Sequence, residues 1–149
     1  MKKLATIFTL CLCLSLFFIK ISNAENWRTL KTTSDRTFML DIDSVQHLKI
    51  DDGTFTDKNA FMFWGKVVFN DNSKMVTQKN IKESLMYFNV FTNNWNQKNY
   101  RLVQTKYLDR SKKVIKTFGK GNWQLVKDGS VGDLFYDAVI QLSLEKDIK

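Results

Sequence analysis

The hydrophobic pattern changes its period along the chain. Leu4 to Ile19 is an almost unbroken apolar run, short runs that alternate apolar and polar residues fill the middle, and after Gly129 apolar residues recur at spacings of three and four. Alternation marks a strand, because successive side chains point to opposite faces of a sheet. Runs rich in aromatic and β-branched residues predict strands near Trp27–Lys31, Thr37–Asp41, Asn59–Asn70, Ser84–Thr92, Tyr100–Leu108 and Lys113–Phe118, with a short seventh over Trp123–Val126. Asp51-Asp52-Gly53, Asp71-Asn72 and Asp109-Arg110-Ser111 break these runs with residues that support turns, the last predicting a hairpin. Both alternating sets of Phe61 to Phe69 are apolar, which predicts a central strand covered on both faces.

The change of period near the end predicts one helix, Val131 to Glu145, with Val131, Leu134, Phe135, Ala138 and Leu142 as its apolar stripe. Ser130 is placed to cap it, with Gly129 before and Asp133 three residues after. The expected fold class is therefore α+β: a single antiparallel sheet of about six strands with a C-terminal helix packed on it.

The opening segment fits a different role. Lys2 and Lys3, the apolar run, and the small-residue exit Ser22-Asn23-Ala24 are the three parts of a secretory signal peptide. The expected division is a signal over 1–24 and one domain over 25–149, exported to the periplasm or cell surface, with no transmembrane span in the mature form. Cys11 and Cys13 both fall in the signal, so the mature domain has no thiol. Proline, low-complexity tracts and 20-to-50-residue repeats are absent, which argues against linkers and solenoids.

Charge then narrows the candidates. The whole chain carries +8, and without Lys2, Lys3 and Lys20 it keeps 20 basic against 15 acidic side chains. Lys98, Arg101, Lys106, Arg110, Lys112, Lys113, Lys116, Lys120 and Lys127 face only Asp109 within their own stretch, while residues 25–57 and 128–149 are net acidic. One segment owns the positive field.

The ordered set of features resembles the surface-adhesin protein E family. It comprises an early Trp, then Asp41-Ile42-Asp43-Ser44-Val45, a long strand holding Trp64, Tyr100-Arg101-Leu102, Tyr107-Leu108-Asp109, Val114-Ile115, Trp123, and Gly129-Ser130-Val131-Gly132-Asp133 opening the last helix. The resemblance spans nearly all of 25–149, without the family's usual cysteines and lipid anchor. It implies a six-stranded antiparallel sheet with a packed helix, and binding to host matrix and serum glycoproteins.

Catalytic, metal-binding and cofactor motifs are not expected. His47 is the lone histidine, and no G-x-S-x-G nucleophile motif accompanies it. Asp41 and Asp43 would share a strand face, yet Asp43-Ser44 reads as a turn or cap and no calcium loop closes on a Glu. Gly119-Lys120-Gly121 lacks the Lys-Ser/Thr of a phosphate loop. The candidate ligand-binding residues are Lys98, Arg101, Lys106, Arg110, Lys112, Lys113 and Lys116 with Tyr100 and Tyr107, set against the alternative of a lysine-protected sheet edge. The expected function is a non-enzymatic exported binding protein that takes a host matrix glycoprotein or other anionic envelope ligand through a basic, aromatic-containing sheet surface. Export argues against nucleic acid as the partner. The alternative is a periplasmic accessory or structural subunit acting through an aromatic sheet face, for which a homodimer is the simplest case.

Overall fold

The computed structural model describes residues 25–48, 60–92 and 96–145. The signal peptide expected over 1–24 and the Asp51-Asp52-Gly53 turn lie outside them. Eight strands form one sheet: β1 Trp27–Thr32, β2 Arg36–Asp41, β3 Gln46–His47, β4 Ala60–Phe69, β5 Glu83–Thr92, β6 Lys98–Leu108, β7 Val114–Phe118 and β8 Gln124–Leu125. Six run in the order β1-β2-β4-β5-β6-β7, and all pairings are antiparallel. The count of about six is corrected to eight, because two-residue β3 and β8 extend the ladder beside β4 and β6. Two helices complete the described residues, α1 Lys74–Thr77 and α2 Val131–Glu145. The single turn α1 was not foreseen; its Ser73 hydroxyl caps it by accepting from Met75 N at 3.2 Å.

The turns follow the expected chemistry. Asp109 Oδ1 accepts from Ser111 N at 2.9 Å and Lys113 N at 3.0 Å, closing the β6–β7 hairpin with Lys112 at φ 65°. At the start of α2, Ser130 Oγ accepts from Asp133 N at 3.2 Å while Asp133 Oδ2 accepts from Gly129 N at 2.9 Å. Each side chain thereby satisfies a backbone donor that the helix itself leaves free.

Helix α2 covers one face of the sheet. Phe135, Tyr136, Val139 and Leu142 are buried there against Phe38, Leu40, Phe61, Phe63, Val67, Phe88 and Val90. The expected stripe is thus rotated: Leu134 and Ala138 are only half-buried and Val131 is exposed, with Tyr136 and Val139 in their place. Gly65 makes close docking possible, since a Cβ there would lie 2.7 Å from Phe135 Cε1 and 3.0 Å from Phe88 Cε2. Ion pairs hold both ends of the helix to the sheet: Lys98 reaches Asp133 at 2.9 Å and Asp137 at 2.8 Å, and Arg28 reaches Glu145 at 3.4 Å.

The other face has no such cover among the described residues. Along β4 the odd positions are buried while Met62, Trp64, Lys66 and Val68 are half-buried. The expectation of a central strand covered on both faces is corrected: β4 is central by pairing, but its second apolar set packs laterally against neighbours on an open face. One further detail decides what that face holds. The β5–β6 register passes from Tyr87 opposite Gln104 to Phe88 opposite Leu102, so Val103 is an extra residue in β6.

Candidate ligand-binding surface

The open face draws its aromatic and charged side chains from alternate positions of four strands. Trp27 of β1, Trp64 and Lys66 of β4, Leu85, Tyr87 and Phe91 of β5, and Arg101, Gln104 and Lys106 of β6 share it by register. Trp123, just before β8, folds onto the same side. Aromatic rings and cations interleave throughout. Lys66 Nζ sits 3.9 Å from the Trp27 ring centroid, Arg101 Cζ 4.4 Å from that of Trp123, and Lys106 Nζ 5.9 Å from that of Trp64. The Trp64 and Tyr87 rings lie 5.0 Å apart, and Trp123 meets Phe91 edge-on at 4.7 Å.

An ammonium over a ring is attracted by the π quadrupole, yet keeps its whole charge. Among the described residues, Lys66, Lys106 and Arg101 form no ion pair with a carboxylate. Burial lowers the Lys66 pKa, with Glu83 and Glu25 pulling it the other way. Burial also raises that of Tyr87. In the amide orientation that satisfies both its polar atoms, Asn89 accepts from Arg101 Nη2 at 3.0 Å. Glu25 and Asp41 lie at the β1 end, where they line a cavity of about 310 Å³ with Trp27, Trp64, Leu85 and Lys106, while Glu83 of β5, on the same face by register, pairs with Lys112.

The predicted site residues do not form one surface. Arg101 and Lys106 lie on the open face. Lys98, Tyr100, Tyr107 and Lys116 lie on the helix-covered side, as the register of β6 and β7 requires. There Lys98 is committed to Asp137 and Asp133, which raise its pKa. Tyr100 donates to Gln124 Oε1 at 2.9 Å, and Tyr107 packs edge-on against Phe118 at 5.2 Å. Both tyrosines line a second cavity of about 330 Å³ with Met86, Leu102, Gly119, Gly121 and Asn122. At the β6–β7 hairpin, Arg110 pairs with Asp71 at 3.1 Å, Lys112 pairs with Glu83, and Lys113 is exposed.

Sequence reasoning missed Trp27, Trp64, Lys66, Tyr87 and Trp123. The second apolar set of β4 was the available signal, but pairing Lys66 with Trp27 and Lys106 with Trp64 requires the strand register. Asp41, Ser44 and His47 have structural partners. Asp41 Oδ1 accepts from Asn26 N at 3.3 Å and Asp43 N at 3.2 Å, and Ser44 Oγ accepts from Trp64 N at 2.9 Å. The His47 ring lies 4.9 Å from Phe61.

Compared with known protein families, curated proteins and solved structures, the chain finds no match in any of the three. Its class is therefore set by its own architecture: an antiparallel sheet sealed by a helix on one face and open, aromatic and cationic on the other. No helix among the described residues is long and apolar enough to cross a membrane.

Proposed function

We propose that this is an exported, non-enzymatic binding protein of the adhesin-E-like kind, and that its open sheet face takes an anionic ligand such as a matrix or envelope glycoprotein. The observation that carries the reading is the set of cations seated on aromatic rings without carboxylate partners, Lys66 on Trp27, Lys106 on Trp64 and Arg101 on Trp123. Two of these, Arg101 and Lys106, belong to the basic stretch; the rest of that stretch serves the hairpin, the helix clamp and the second cavity.

A comparison of two double variants with equal charge change tests it. Lys66→Glu with Lys106→Glu removes two of the three open-face cations, and Lys113→Glu with Lys116→Glu removes exposed cations elsewhere. On immobilised matrix glycoproteins the first pair should abolish retention and the second should spare it. Retention of the parent should weaken as salt rises, since exposed charges are screened beyond about 8 Å at physiological ionic strength. Equal losses in the two variants would reduce the effect to bulk charge. The alternative, a structural subunit, draws on the exposed Val114, Ile115, Phe118 and Leu125 along the β7–β8 edge. It predicts salt-insensitive assembly instead.

A further inference from the structure

We propose that the open face is a channel for a linear acidic polysaccharide, a chain of sugar rings bearing carboxylate or sulfate groups, lying across β4, β5 and β6. The inference rests on the anionic-ligand reading above and adds which kind of anion is bound. The register lays out the channel. Trp64, Tyr87 and Gln104 stand in one row across the three strands. Lys66, Leu85 and Lys106 form the next row on one side, and Met62, Asn89 and Arg101 the next on the other. Strands lie about 4.8 Å apart and same-face rows about 6.7 Å apart, so an aromatic floor is bordered on both long sides by cations. Lys66 and Lys106, two strands apart, are separated by roughly 10 Å at the backbone.

Position on the sheet selects sugar over acidic polypeptide. An extended peptide is captured at a sheet edge, where unpaired backbone groups continue the ladder. In the middle of a face those groups are already paired, so recognition must come from side chains. The side chains supplied here are ring faces, the Gln104 amide, two ammonium groups and the Arg101 guanidinium, which the buried Asn89 holds in place. Ring faces such as those of Trp64 and Tyr87 suit the flat apolar side of a sugar ring. Amides supply both donors and acceptors for hydroxyls, and guanidinium and ammonium groups suit carboxylate or sulfate oxygens. The Gln104 amide has no hydrogen-bond partner among the described residues and lies at the end of the aromatic row. Glu25 and Asp41 sit at the opposite, Trp27 end. Their charge directs the acidic groups of the chain toward β5 and β6.

The test is calorimetric titration of the purified protein with heparin, polygalacturonate, neutral dextran and poly-L-glutamate. At least one of the two acidic polysaccharides should bind, and which one names the acid group. Dextran and poly-L-glutamate should bind roughly tenfold more weakly or not at all, a difference of about 1.4 kcal/mol. Trp64→Leu and Gln104→Ala should each weaken polysaccharide binding severalfold with an unchanged circular dichroism spectrum. Gln104→Ala carries the test alone if Trp64→Leu perturbs the fold. Poly-L-glutamate binding as tightly as the polysaccharides, with loss only in the Lys66→Glu, Lys106→Glu variant, would overturn the sugar and keep the anionic face. Polysaccharide binding indifferent to Gln104→Ala and to a folded Trp64→Leu would also overturn it. If none of the four probes binds, the inference and the anionic reading fall together.

Discussion

Gly65 has no side chain where Phe135 needs the space. Glycine inside a strand costs about 0.5–1 kcal/mol relative to alanine, so alanine would ordinarily improve such a position. Here an added Cβ would fall 2.7 Å and 2.9 Å from two atoms of the Phe135 ring. That ring is fully buried and packed against Phe88 at 4.9 Å and Phe63 at 6.1 Å, so it has little room to yield. Gly65→Ala should therefore destabilise by about 1–3 kcal/mol, the usual cost of overpacking. Urea unfolding checks it, and the loss should shrink in a Phe135→Leu background because the two sites share one contact. A more stable Gly65→Ala protein would mean that α2 docks more loosely than its geometry implies.

Helix α2 joins local capping to a tertiary clamp through one carboxylate. Lys98 above all, and then the Gly129 N–H, hold the Asp133 pKa below its ordinary value of 3.8. A depressed carboxylate pKa contributes stability above the unfolded value of about 3.9, and that stability is lost as pH falls through the folded value. Asp133→Asn should then be less stable than the parent by about 1 kcal/mol at pH 7, with the gap closing below about pH 4. Thermal melts at pH 7 and pH 3 decide this; a gap of equal size at pH 3 would assign the role to shape rather than charge. The start, end and cap of this helix were legible in the sequence because Ser130 and Asp133 act within one turn. Its rotation was not, since Val131–Leu134–Ala138 and Tyr136–Val139 both satisfy a 3.6-residue period and only the sheet chooses between them. The long strands were readable from alternation to within a residue or two at most ends. Two-residue β3 and four-residue α1 are too short to develop a period. The cations of the candidate face were visible as composition, but their sorting between faces depends on pairing between distant strands.

The molecule keeps its aromatic types apart. The helix-covered core is built largely from phenylalanine, whereas Trp27, Trp64 and Trp123, three of the four tryptophans, lie on the open face. Tryptophan emission should therefore report the electrostatics of that face alone, apart from any contribution of Trp95. If Lys66, Lys106 and Arg101 prevail over Glu25 and Asp41 there, iodide should quench more steeply than caesium at low ionic strength. The difference should collapse near 1 M salt, where the screening length is about 3 Å. Equal slopes at low salt would show that the carboxylates neutralise the surface.

Lys106 and Arg101 are separated by an odd number of positions, and so are Tyr107 and Tyr100. In an unbroken strand neither pair could share a side, because orientation follows the parity of position. Val103 resets that parity halfway along β6. The bulge, as much as residue identity, therefore encodes which chemistry each side displays. The same residues paired without that bulge would set Val103 opposite Phe88, turning Asn99 and Arg101 beneath α2 and Lys98 and Tyr100 outward. Loss of the bulge at constant length, or an insertion that no bulge absorbs, is thus the change by which such a protein could exchange one ligand surface for another in a single step, leaving nearly all of its sequence intact.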